Sequence, residues 1–209
     1  MPDFTFENTA RAQGFGLICG IDEAGRGPWA GPVVAGAVIL DPQTMSENLI
    51  RGLDDSKKLK PATREELLAE LKTVARIGVG QASVDEIDEL NILQATFLAM
   101  HRAVEALGGA FGEAPDFALV DGNRAPSLPC PAQTVIKGDG KSLSIAAASI
   151  VAKVTRDRGM ADLAQTYPGY GWENNAGYGT KEHQSALREL GVTPEHRKSY
   201  KPIQKILGL

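Results

Sequence analysis

Apolar residues near the start of the chain fall into two runs, 17–21 and 33–40, interrupted by Gly25, Arg26, Gly27, Pro28 and Gly31. That pattern predicts two strands joined by a long glycine-rich turn, the second stopped by Pro42. Residues 61–72 place Leu67, Leu68 and Leu71 on one face and predict a helix, followed by a third strand in which Ile77 and Val79 alternate against Arg76. From 91 to 107, Leu93, Phe97, Met100, Val104 and Leu107 keep helical spacing, with Gly108-Gly109 as the expected stop. Two short strands follow, at 117–120 and 134–136. Residues 144–154 are mostly Ala, Ser, Ile and Val, so they predict a buried helix whose small side chains let it back closely onto a sheet. Thr180 has the form of an N-cap for a helix ending at Gly191, and Thr193-Pro194 has the form of another helix start. This order of elements indicates an α/β sheet domain with a helical tail.

A length of 209 residues favours one domain. With 43% hydrophobic and 23% charged residues, the composition is that of a folded protein and not of a disordered chain. No run is long enough to span a bilayer as a helix, and no secretory signal is visible, so a cytoplasmic chain with no membrane partner is expected. Cys19 and Cys130 have no Cys or His at zinc-ligand spacing and read as reduced, small hydrophobes. The net charge of −4 argues weakly against a nucleic-acid partner. Distribution matters more than the sum. Basic residues recur at Lys57, Lys58 and Lys60, at Lys137, Lys141, Lys153 and Arg156, and through the tail at Lys181, Arg188, Arg197, Lys198, Lys201 and Lys205. An acidic protein can still present a basic groove.

Three predicted strands run into acids, at Asp22-Glu23, at Asp121 and just before Asp139. Ligands in open α/β sheets collect beyond strand ends, so separate segments can bring these acids together. Carboxylates without histidine or thiolate partners suit hard divalent cations, which makes Mg²⁺ or Mn²⁺ the expected cofactor and metal-assisted phosphoryl chemistry the expected use. Taken singly, each Asp reads first as a turn-former or helix cap. Neighbours in a strand also face opposite ways, so Asp22 and Glu23 share a site only if the backbone bends between or just after them. A Ser or Cys hydrolase needs a base, and of His101, His183 and His196 the first lies within the periodic helix. A phosphate loop around Gly138-Asp139-Gly140-Lys141-Ser142 fails because Val135 stands where glycine is required.

The run from Gly20 to Pro28, Gly-Ile-Asp-Glu-Ala-Gly-Arg-Gly-Pro, followed by Gly31-Pro32-Val33-Val34-Ala35-Gly36-Ala37-Val38, resembles the opening signature of bacterial ribonuclease HII, a type 2 ribonuclease H. The resemblance continues through Asp54-Asp55-Ser56-Lys57-Lys58-Leu59, Asp121-Gly122-Asn123, Lys137-Gly138-Asp139, residues 146–157, Gly177-Tyr178-Gly179-Thr180 and His196-Arg197. It covers nearly everything after residue 15. Residues 1–14 match nothing and are expected to be a variable extension, with 15–209 forming the catalytic domain and about 180–209 its helical segment.

The resemblance implies a ribonuclease H-like fold, a mixed five-stranded sheet flanked by helices, with a C-terminal helical extension. It implies an endoribonuclease that degrades the RNA strand of RNA/DNA hybrids and incises 5′ of single ribonucleotides in duplex DNA, leaving 3′-hydroxyl and 5′-phosphate ends. Asp22, Glu23, Asp121 and Asp139 match the catalytic, metal-binding acids of a two-metal mechanism. Gly25, Arg26 and Gly27 match the loop whose backbone contacts the ribose 2′-hydroxyl, and Tyr178 matches the tyrosine beside the ribonucleotide at the RNA–DNA junction. Ser56, Lys57 and Lys58 would lie near the substrate backbone, with a solvated face as their bland alternative. A monomer is expected. The rivals are another nuclease of the superfamily, which would lack the Gly-Arg-Gly and Gly-Tyr-Gly-Thr segments, and a hybrid-binding protein without turnover.

Overall fold

All eight residues of strand β2 (Val33–Leu40) are buried, as a continuous apolar run predicts for a strand covered on both faces. Its neighbours in the computed structural model, which describes residues 1–209, complete a sheet of five. They are β1 (Ile18–Ala24), β3 (Ala75–Ala82), β4 (Phe117–Asp121) and β5 (Ala132–Val135), in the order β3-β2-β1-β4-β5. The pairs β1–β2 and β2–β3 are antiparallel, whereas β1–β4 and β4–β5 are parallel, so the sheet is mixed as expected. The last strand starts two residues earlier and ends one residue earlier than its pattern suggested. Only Val135 of β5 is buried, and Ile136 faces solvent beyond the ladder.

Helices cover both faces. On one side α5 (Ile92–Phe111) lays Ala95, Ala99, Ala103 and Leu107 against Cys19, Ile21, Ala35, Ala37 and Val120. On the other, α3 (Pro61–Val74) and α6 (Leu143–Thr166) enclose Val38, Leu40, Leu71, Ala147 and Val151. Each large aliphatic removed from water in these layers contributes about 1.5–3 kcal/mol. Glycines set the separation. A Cβ at Gly20 or Gly36 would collide with backbone atoms of Ser144 or Ala148 in α6, and one at Gly78 or Gly80 with backbone of Ala103 or Ala99 in α5.

Several expectations are corrected. Helix α5 runs through Gly108-Gly109 and stops at Gly112, whose left-handed φ of 72° makes the cap that the earlier glycines do not. No helix starts at Thr193-Pro194. The Thr193 N–H and hydroxyl instead meet His196 Nδ1, at 2.9 and 2.8 Å, and α9 (Lys201–Leu207) begins only after Tyr200. Thr180 does cap α8 (Lys181–Leu190), accepting from His183 N–H. The patterning also passed over α2 (Glu47–Gly52) and α4 (Val84–Leu90), the latter opened by a Ser83–Glu86 capping box.

The first residues form α1 (Thr5–Ala12), and they are tied to the fold. Glu7 is 1% exposed, and one of its oxygens accepts from Ser142 Oγ, Ser144 N and Ser144 Oγ, at the start of α6. At the other end, α7 (Trp172–Asn175), α8 and α9 surround a small core of Met160, Tyr170, Trp172, Leu187 and Ile203.

Candidate metal and nucleic-acid site

Parallel pairing of Ile21 with Val120 brings Asp22 and Asp121 side by side at the C-terminal ends of β1 and β4, pointing to the same face. Asp139 joins them from the 3₁₀ turn Gly138–Gly140, entered through Lys137 in the left-handed region at φ 56°. Asp121 accepts from the Gly138 N–H at 2.6 Å, which fixes that turn against the strand end. The strand does not bend at Glu23, since regular pairing with β2 continues to Ala24. Glu23 therefore alternates onto the α5 side, where it lines a hollow with Thr96, Met100, Asp121 and Arg124. That hollow continues on one side past Gly25, Lys57 and Tyr178, and on the other past Asp55, Lys137 and Asp139. Glu23, Asp121 and Asp139 line this cleft, and Asp22, buried beside them, is close enough for the charges of all three to act on it.

Burial raises the Asp22 carboxyl well above its ordinary range, and the charges of Glu23 and Asp121 add to it. Burial also raises Asp139, reinforced by Asp121 and Asp55. Glu23 is raised by burial against the pull of Arg26, its ion-pair partner at 3.2 Å. Such a cluster is short of positive charge, and its donors are all carboxylate oxygens, so the set suits a hard divalent cation. No three of the acids close on one point.

The other anticipated residues divide. Gly25, Arg26, Gly27 and Tyr178 line the same stretch of cleft, and Tyr178, 48% exposed, is not part of the core. Lys57 also lines it. Burial pushes its ammonium down, but Asp22, Asp55, Asp139 and Asp121 outweigh that and hold it above the ordinary value. Ser56 is buried and takes a framework role, its N–H meeting Ser149 Oγ and its carbonyl accepting from Arg64. Lys58 is exposed and paired to Asp54 at 2.8 Å. His101 bonds the Ser127 carbonyl.

Two arginines had no role from sequence reasoning. Arg156 and Arg197 are buried behind the 25–32 loop and bond its carbonyls. Their signal in the sequence was only that each sits inside a recognisable segment, and nothing local to either predicts burial of a cation.

A family model described as Ribonuclease HII matches residues 19–203. The chain is 60% identical over 207 residues to the Ribonuclease HII of Ruegeria pomeroyi, covering 99% of this chain and 85% of that relative. It is 58% identical to the Ribonuclease HII of Paramagnetospirillum magneticum, covering 99% of each. Among solved structures, the ribonuclease H2 from Pyrococcus horikoshii OT3 superposes with a TM-score of 0.72 at 29% identity, over 91% of this chain and 97% of that one.

Proposed function

The chain belongs to the ribonuclease HII family and is a metal-dependent ribonuclease, and we propose that it cuts the RNA strand of RNA/DNA hybrids and incises 5′ of a single ribonucleotide embedded in duplex DNA. One observation carries the reading. Carboxylates from β1, β4 and the 138–140 turn line a cleft shared with a glycine loop whose Gly25, Arg26 and Gly27 N–H groups have no acceptor within the protein. Charge-seeking oxygens and free main-chain donors side by side are what a metal-assisted phosphodiester cut at a ribose requires.

Asp22, Glu23, Asp121 and Asp139 would hold Mg²⁺ or Mn²⁺. When bound, the ions lower the pKa of the attacking water and offset the charge that develops on the departing 3′ oxygen. The protein's own residues do the rest. The free N–H groups of the loop orient the sugar by donating to its 2′-hydroxyl, the atom that separates RNA from DNA. Tyr178 packs its exposed ring against the ribonucleotide at the junction, and Lys57 with Lys137 and Lys141 lines the path of the phosphates.

Cleavage of a DNA duplex carrying one ribonucleotide tests this directly. Incision on its 5′ side, leaving 3′-hydroxyl and 5′-phosphate ends and abolished by a chelator, is the expected result. Binding without cleavage in Mg²⁺ or Mn²⁺ would favour the rival of a hybrid-binding protein.

A further inference from the structure

Arg197 is fully buried and places its guanidinium among main-chain carbonyls. Its Nη2 donates to Gly25 O at 2.6 Å, Gly31 O at 2.8 Å and Pro32 O at 3.2 Å, while Nη1 donates to Arg26 O at 3.1 Å and Nε to Gly31 O at 2.9 Å. Arg156, 2% exposed, reaches the same loop from α6, with Nε on Pro32 O and Nη2 on Ala30 O. Tyr200 completes the arrangement. Its hydroxyl accepts from Arg197 and donates to Arg26 O at 2.5 Å. None of these bonds goes to a carboxylate. Two adjacent buried cations without a counter-ion are costly, and each lowers in part through burial, Arg156 to about 10. Loop carbonyls are what compensates them. Gly25 has φ +100°, and a Cβ there would overlap the Arg156 side chain, so the loop lies directly on the guanidinium.

We propose that Arg197 and Arg156, with Tyr200, are positioning residues that turn the 25–32 loop carbonyl-side inward; holding the Gly25 and Arg26 carbonyls, they leave the Arg26 and Gly27 N–H groups free to read the sugar. A peptide unit with its oxygen fixed has its N–H direction fixed too, because the unit is planar. The strength of discrimination between a ribonucleotide and a deoxynucleotide is then set from behind the loop, by residues that never touch substrate. This rests on the functional reading above.

The test compares KM for a duplex with one ribonucleotide against Ki for the same duplex entirely in DNA, for the wild type, Arg197→Lys, Arg156→Lys and Tyr200→Phe. Lysine keeps the charge and loses the fork that spans several carbonyls. The Ki/KM ratio should fall about tenfold in either lysine variant, the equivalent of one hydrogen bond to the sugar, and less in Tyr200→Phe. Ki itself should be unchanged. Tyr200→Phe, at a half-exposed position, decides the matter if a lysine variant does not fold. A ratio unchanged in every folded variant, or equal losses in KM and Ki, would overturn the positioning role. A wild type with Ki equal to KM would instead overturn the functional reading itself.

Discussion

The Nε2 atoms of His183 and His196 stand 3.0 Å apart, and both rings are fully buried. The Thr193 N–H donates to His196 Nδ1, so the His196 proton sits on Nε2 and is given to His183. His183 Nε2 also accepts from Trp172 Nε1, which leaves its Nδ1–H for the Tyr178 carbonyl at 3.0 Å. The network works only with both rings neutral.

Acid should therefore loosen the C-terminal segment. Burial, then the neighbouring His183, holds His196 down at about 4 from an ordinary 6.5. Below about 6.5 the unfolded chain takes up a proton that the folded chain refuses until about 4, so stability is lost as pH falls through that window. The loss should be on the order of 3 kcal/mol. Melting curves followed by tryptophan fluorescence check it, and His196→Asn should melt lower at pH 7.5 yet fall less steeply between pH 6.5 and 4.5.

Asp121→Asn should keep the fold and cut the cleavage rate by more than about 100-fold, since even outer-shell losses at metal sites reach 10–100-fold. Asp22→Asn should do the same to activity while raising the melting temperature in a chelator, because it removes a buried charge facing two others. A gain of about 1 kcal/mol corresponds to roughly 2–4 °C at this size. Mg²⁺ should raise the melting temperature of the wild type and not of Asp22→Asn. Wild-type cleavage in either variant would remove the acids from the mechanism.

Tyr178→Ala should lose about 10- to 100-fold on a single embedded ribonucleotide, the equivalent of 1–3 kcal/mol of stacking, and less on a long hybrid. Its ring is half exposed, so the melting temperature should barely move. Tyr178→Phe should lie between. Paired kinetics on the two substrates check this, and equal losses would end the junction-sensing role while leaving the acids in place.

Glu7→Ala should cost about 1–3 kcal/mol, because Ser142 and Ser144 lose their buried acceptor. One Glu7 oxygen has no partner of its own, so Glu7→Gln should cost less. Since Ser142 also caps α6 through the Ile145 N–H, just beyond Asp139, the alanine variant should lower activity as well as stability. Denaturant titration with a parallel cleavage assay separates the two effects.

What the sequence made legible was whatever depends on periodicity or on a short local signal. Strand β2 matched to the residue, α3 and the interior of α5 followed from spacing, and α8 from its cap. The four acids were legible as residues at or just beyond strand ends, and parallel pairing of β1 with β4 does set Asp22 beside Asp121. Long-range partners were not legible. Residues 193–200 carry a helix-start pattern, yet Thr193 turns to His196 and Arg197 to a loop more than 160 residues away. Helix α1 is short and mostly polar, and its anchor is a buried Glu, which no hydrophobic pattern announces. Ser56 was placed near the substrate backbone by the resemblance of its segment, 54–59, while its burial depends on Ser149 and Arg64 from other elements.

The glycine seats of α6 have a mechanical consequence. At Gly20 and Gly36 the helix backbone rests on the strand backbone with no side chain between them. Elsewhere in a core, a lost or gained methyl group is absorbed by rotamer changes in an intervening layer. Here there is no such layer, so the gap between the strand bearing Asp22 and the helix that follows Asp139 is a hard stop, with no compliant spacer to take up error. Thickening it by one methyl, as in Gly20→Ala, displaces a whole helix, and the distance between two carboxylates is what changes.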